Sequence, residues 1–179
     1  APLVFVTGAS SGIGQALALR YVHAGWRLAL VARRAAETEA WARAHGLGPE
    51  RCAVYAADVS DVDAIERAGR DCLEHQGLPD VVIANAGISV GMDTAEREDL
   101  DVMRDTLEVN LLGVAATFHP FLRGMRERHS GKLVGIASVA AIRGLPGHAA
   151  YCASKAGVVA YLESLRTECR GSGVRVVTI

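Results

Sequence analysis

Tyr151 and Lys155 stand four residues apart in a stretch patterned as a helix, and Ser138 precedes Tyr151 by thirteen residues. Four steps of about 100° return two side chains to one helix face, about one turn apart. A free phenol titrates near ~10 and is a poor base at neutral pH. A neighbouring ammonium stabilises the phenolate and lowers that value. A phenol tuned in this way can deliver a proton to an oxygen as hydride reaches its carbon, and can remove the proton in the reverse direction. A hydroxyl such as that of Ser138 can hydrogen-bond the same oxygen. Tyr-x-x-x-Lys occurs by chance on many helices, and a serine at a strand end is ordinary, so the meaning of the trio rests on what accompanies it.

A glycine-rich loop accompanies it. The first apolar run ends in Thr7-Gly8-Ala9-Ser10-Ser11-Gly12-Ile13-Gly14. Gly8 allows a tight turn, Gly12 lets backbone approach a diphosphate, and Gly14 lets the following helix pack close to the strand. The N–H groups of Ser10, Ser11 and Ile13 then lie at a helix start that attracts an anion. The spacing differs from the usual G-x-G-x-x-G fingerprint, and no Gly-Lys-Ser/Thr marks a P-loop. An NAD-type site places an acidic residue about 20 positions on, at the end of the second strand. Here Ala32 is followed by Arg33 and Arg34. A guanidinium at that place suits a 2′-phosphate, which favours NADP(H) over NAD(H).

The elements that must position these groups alternate in type. Strands are expected at Leu3–Val6, Arg27–Ala32, Cys52–Ala57, Asp80–Ala84, Leu133–Ala137 and Val174–Ile179. Helices are expected at 12–24, 35–45, 61–75, 97–128 and 149–170, with Pro120 breaking or kinking the fourth. The strands are continuously apolar, as parallel strands buried on both faces are. Alternation then implies right-handed βαβ units and a doubly wound, Rossmann-like three-layer α/β/α sheet in one domain spanning 1–179. Ligands bind beyond the carboxyl ends of such strands, where all of the groups above fall.

Composition sets the limits. The chain has 179 residues, 50% hydrophobic and 22% charged, with a formal net charge of -1. These values suit a globular fold, and without a like-charge block they point away from a nucleic-acid surface. Cys52, Cys72, Cys152 and Cys169 show neither metal-ligand nor disulfide spacing, so no metal is expected and a reduced cytoplasmic setting fits. No apolar run reaches the ~18 residues of a membrane span.

Taken together, Thr7-Gly8-x-x-x-Gly12-x-Gly14, Asp58, Asn85-Ala86-Gly87, Asn110, Ser138 and Tyr151-x-x-x-Lys155 resemble the short-chain dehydrogenase/reductase family along the whole chain. The resemblance implies that Asp58, with the Val59 backbone, bonds the adenine amino group, and that Asn85, Ala86 and Gly87 line the adenosine and ribose. It implies that Lys155 bonds the nicotinamide ribose, and that Asn110 holds a water in contact with Lys155, extending a proton relay from Tyr151. Arg33 matches the NADP-preferring pattern. The bare alternative for Asp58 is a helix cap, although Ser60 is better placed for capping. Family members continue beyond the sixth strand into a substrate-covering region, so a longer protein is expected.

The function expected is reversible hydride transfer between nicotinamide and a carbonyl or secondary alcohol. The pocket segments Ile88–Asp93 and Val139–His148, with Ser89, Met92, Ile142, Leu145 and His148, suggest a mainly apolar small-molecule substrate. A non-catalytic NADPH sensor of the same fold and a nucleotide-sugar epimerase or dehydratase are the competing readings. The wide apolar arc of the helix at 149–170 and its likeness to a family interface suggest a homodimer or homotetramer.

Overall fold

The computed structural model, which describes residues 1–179, shows the consequence of strands that are apolar through their middles, with charged residues only at Arg27, Lys132 and Arg175. β1 (Leu3–Thr7), β2 (Arg27–Ala32), β3 (Cys52–Ala56), β4 (Val81–Ala84), β5 (Gly131–Gly135) and β6 (Val174–Thr178) form one sheet in the order β3-β2-β1-β4-β5-β6. Every pairing is parallel. This is the doubly wound Rossmann-like arrangement, with its strand order reversing between β1 and β4.

Successive side chains of each strand face opposite sides, and both sides are covered. Val4, Val6, Leu28, Leu30, Val81 and Ile83 pack on α1 (Gly12–His23) and α2 (Ala35–Ala44) through residues such as Ala18 and Ala42. Leu3, Phe5, Ala29, Val31, Val82 and Leu133 face α3 (Val62–His75), α5 (Gly113–Glu127) and α6 (Ala149–Glu168). On that side Phe5 meets Phe121 edge-on at 4.8 Å between ring centroids. Glycine permits the close approaches. A Cβ at Gly135 of β5 would lie 2.6 Å from Leu162 Cδ1 of α6.

Two expectations need correction. The long fourth helix does not break at Pro120. It runs as α4 (Asp99–Leu107), a wide π-type turn at Glu108–Leu112, and α5, which continues through Pro120. The ring lies against α3, where a Cβ on Gly69 would be 2.5 Å from Pro120 Cγ. Tertiary packing thus accommodates the proline, and the irregularity sits at Asn110 instead. The second correction concerns α3. Asp61, not Ser60, caps it by accepting a hydrogen bond from Ala64 N at 3.0 Å.

No helix is long and apolar enough to cross a membrane, and no cluster of His, Cys, Asp or Glu is arranged to hold a metal ion. All four cysteines are free and buried. Burial pushes the Cys52 thiol from 9.0 up to about 11. It pushes Cys72 up to about 12, against the weaker opposing pull of the Tyr55 hydrogen bond and the Arg27 charge. The unfolded chain therefore loses these protons first. Their contribution to stability is complete below about pH 9 and disappears as pH rises through the folded values. Thermal unfolding followed from about pH 8 to about pH 11 should show a falling Tm. A Cys52→Ala/Cys72→Ala variant should show a shallower slope, and an identical slope would refute the role of the thiols.

Candidate active site

The glycine loop is built by steric exclusion. A Cβ on Gly8 (φ +67°) would meet Ala86 Cα at 2.8 Å, and one on Gly14 would lie 2.1 Å from the Gly8 carbonyl oxygen. Gly12 (φ +53°) instead faces open space, so its backbone is accessible. The Ser11 side chain makes no capping bond to α1, and the first turn carries no acidic residue. The leading N–H groups of α1 are therefore open to an anion, as a dinucleotide diphosphate requires.

A cleft of about 340 Å³ runs along the carboxyl ends of the strands. It gathers Gly8, Ser10, Ser11, Gly12 and Ile13 from the loop after β1, Arg33 and Arg34 after β2, Asp58 and Val59 after β3, and Asn85, Ala86 and Gly87 after β4. Gly14 is buried behind the loop. Arg34 pairs with Glu37 at 3.2 Å, whereas Arg33 is exposed and forms no ion pair. Asp58 accepts from Ser60 N at 3.0 Å and Ser60 Oγ at 2.8 Å. Burial alone would raise its pKa, but the two Ser60 bonds and the Arg33 charge hold the carboxyl below its ordinary value. Asp58 is thus an ionised acceptor in the same cleft as the unpaired Arg33 guanidinium.

The two strands that flank the reversal are latched. Thr7 Oγ1 accepts from Asn85 N at 3.1 Å and Ala86 N at 3.2 Å. In return Asn85 Nδ2 donates to the carbonyls of Thr7 at 3.1 Å and Gly8 at 3.3 Å. The Asn85 amide is therefore engaged in holding the loop, a task not evident from its type.

Ser138, Tyr151 and Lys155 are not among the residues that line this cleft, but Lys155 stands beside its Gly87 end. Lys155 is 5% exposed. Its Nζ donates to Ile136 O at 2.8 Å and lies 5.8 Å from the Tyr151 ring centroid. Burial lowers its pKa from the ordinary lysine value. A Cβ on Gly87 would stand 3.6 Å from this ammonium and 3.3 Å from Asn110 Oδ1, so glycine keeps the passage open. Ser138 starts the short 3₁₀ turn Val139–Ala141 and accepts from Ala140 N at 3.1 Å. Its hydroxyl proton remains able to donate.

Asn110 is fully buried. Its Oδ1 accepts from Ile88 N at 2.8 Å, and its Nδ2 donates to Ile88 O at 2.8 Å and Ser154 Oγ at 3.0 Å. Ser154 Oγ donates in turn to Tyr151 O at 2.7 Å. The side chain thus clamps the loop after β4 to the helix that carries Tyr151. Ser154 and the Ile136 carbonyl are partners that residue type did not single out, and Thr7 was named only as the first residue of the glycine motif, without its latching role. Ser154, inside Tyr-x-x-Ser-Lys, and Thr7, before Gly8, stood next to motifs; the Ile136 carbonyl had no local signal.

Residues 2–179 match the model of the short chain dehydrogenase family. An uncharacterized oxidoreductase of Myxococcus xanthus is 43% identical over 178 residues, spanning 97% of this chain and 68% of that protein. The D-threitol dehydrogenase of Mycolicibacterium smegmatis is 38% identical over 179 residues, covering 99% and 68% of the two chains. Among solved structures, a short-chain dehydrogenase from Streptomyces avermitilis superposes with a TM-score of 0.91 at 32% identity, over 99% of this chain and 65% of that one. The chain therefore spans about two thirds of the length of these relatives.

The latch gives a direct test. Thr7→Val leaves two backbone N–H groups without their acceptor, at a cost of about 1–3 kcal/mol each. Urea unfolding should show a loss of about 2 kcal/mol or more for Thr7→Val at unchanged m-value, and near-native stability for Thr7→Ser. Equal stability of the two variants would remove the latch from the account.

Proposed function

The chain belongs to the short-chain dehydrogenase family, and on that premise we propose that it is an NADP(H)-dependent oxidoreductase interconverting a carbonyl and a secondary alcohol, with Tyr151 as general acid and base. The family uses a nicotinamide dinucleotide, which when bound supplies or accepts the hydride. The observation that carries the reading is the buried Lys155 ammonium, set beside Tyr151 on one side and Gly87 of the cleft on the other.

Each residue then has a task. The glycine loop and the start of α1 bind the diphosphate through backbone N–H groups. Arg33 pairs with the 2′-phosphate, and ionised Asp58 accepts from the adenine amino group. Lys155 uses one donor on Ile136 O and offers the others to ribose hydroxyls. Its charge attracts the negative charge that develops on the Tyr151 oxygen. Ser138 and Tyr151 polarise the substrate oxygen, and Tyr151 gives or takes the proton there. Asn110 acts as a positioning residue through Ile88 and Ser154, with its side chain already engaged, so a relay water would be held by backbone. The relative named D-threitol dehydrogenase supports an alcohol–carbonyl couple. The same proposal includes residues 1–179 as one domain, assembly of copies as a homodimer or homotetramer through the helical region 97–128 and α6, and a cytoplasmic setting.

Three measurements on the full-length protein test it. Tyr151→Phe should lower kcat by at least ~100-fold, the scale of general acid–base catalysis, while NADPH still binds. Wild-type protein that binds NADPH yet consumes none across aldehydes, ketones and a β-ketoacyl thioester would return the sensor reading. Arg33→Ala should raise KM for NADPH by about tenfold or more and leave NADH nearly unaffected, since it removes a charge-assisted pair. Equal losses with both cofactors would refute the NADP(H) preference.

A further inference from the structure

Between Ser138 and Tyr151 the chain crosses from β5 to α6 by a strap of residues 142–148. It contains Gly144, Pro146 and Gly147, the last at φ +73°. Such a segment has little intrinsic stiffness at its glycines. It also presents Ile142, 90% exposed, and Leu145, 46% exposed, next to the Ser138 turn. Backbone bonds from Ile142 N to Val139 O at 3.1 Å and from Cys152 N to His148 O at 2.9 Å anchor its two ends, and further contacts hold its middle. Gly147 O accepts from Met92 N at 2.9 Å on the side of the loop after β4. On the other side Leu145 N donates to Cys152 Sγ at 3.3 Å, and that thiol lies 4.0 Å from Arg143 O as a donor. Cys152 is itself buried and directly follows Tyr151.

We propose that Cys152 is a specificity-determining positioning residue, whose thiol clamps the strap to the catalytic helix and so holds Ile142 and Leu145 as an apolar wall for the hydrocarbon body of a ketone or secondary alcohol. A thiol both donates and accepts, so the side chain that accepts from the Leu145 N–H at 3.3 Å can also turn its weak donor toward the Arg143 carbonyl at 4.0 Å. The substrate half of this statement rests on the oxidoreductase reading above; the clamp does not.

The test compares full-length wild type, Cys152→Ala and Cys152→Ser. Arg143 is exposed, and trypsin cleaves after it. Release of the strap should therefore appear as about fivefold faster cleavage of the Arg143–Gly144 bond in Cys152→Ala under native conditions, the effect of one lost hydrogen bond. Cys152→Ser should restore most of the protection. In the same variants, kcat/KM for a series of methyl ketones should fall about fivefold more for long alkyl chains than for short ones in Cys152→Ala, through KM, with NADPH affinity unchanged. Unchanged cleavage in Cys152→Ala, or no recovery in Cys152→Ser, overturns the clamp. Faster cleavage with a uniform change across the ketones overturns its role in specificity. Faster cleavage in a protein that reduces no carbonyl keeps the clamp and fails the oxidoreductase reading alone.

Discussion

The site exists because β1 and β4 are neighbours whose chains leave in opposite directions. α1 packs on one face of the sheet, and α3, α5 and α6 on the other. A crevice must open where the connections diverge. Four hydrogen bonds between Thr7-Gly8 and Asn85-Ala86 close its base. Apart from Val109 of the π-type turn, everything that lines the cleft is attached to one of those two strand ends or to the ends of β2 and β3 beside them. The distance from the anion-binding turn to Gly87 is fixed by this latch and not by flexible loops. Binding at a preorganised surface avoids the cost of ordering it.

The opposite wall carries a deliberate energetic liability. Lys155 places an ammonium in a buried position with a neutral carbonyl as its protein acceptor and no carboxylate within ion-pair distance. Burying a charge so sparsely matched lowers stability. A nearby carboxylate would relieve that cost, but it would also cancel the field at Tyr151. The Asn110–Ser154 network compensates through neutral groups, tying Ile88, the π-type turn and α6 together without placing a second charge beside the first. Under the proposed chemistry, stability yields to function at this point, as it commonly does where function needs an unfavourable group.

The strands, the strand order's class and the residues of the glycine loop were legible in the sequence, because burial on both faces and positive φ impose residue types that can be read directly. Boundaries moved where side chains off the pattern took part: β1 extends to Thr7, whose hydroxyl serves the latch, and β5 begins at Gly131. Pro120 read as a break because a proline removes one helical hydrogen bond, but Gly69 across the helix pair makes room for its ring. Ser60 and Asp61 both suit a cap by type, and the Asp58 carboxylate decides between them by taking Ser60. Partners such as Ile136 O and Ile88 are backbone groups, and no residue type advertises them.

The π-type turn at Glu108–Leu112 has a lasting consequence for how this chain can vary. A wider turn accommodates one more residue than an α-turn would, so α4 and α5 are out of phase with each other by about 100° compared with an uninterrupted helix. Deleting a single residue there would heal the helix and yet swing all of α4 around its axis, pulling Asn110 away from Ile88 and Ser154. The length of this segment is therefore as constrained as the identity of Asn110, whose amide reaches Ile88 and Ser154 only from the wide turn.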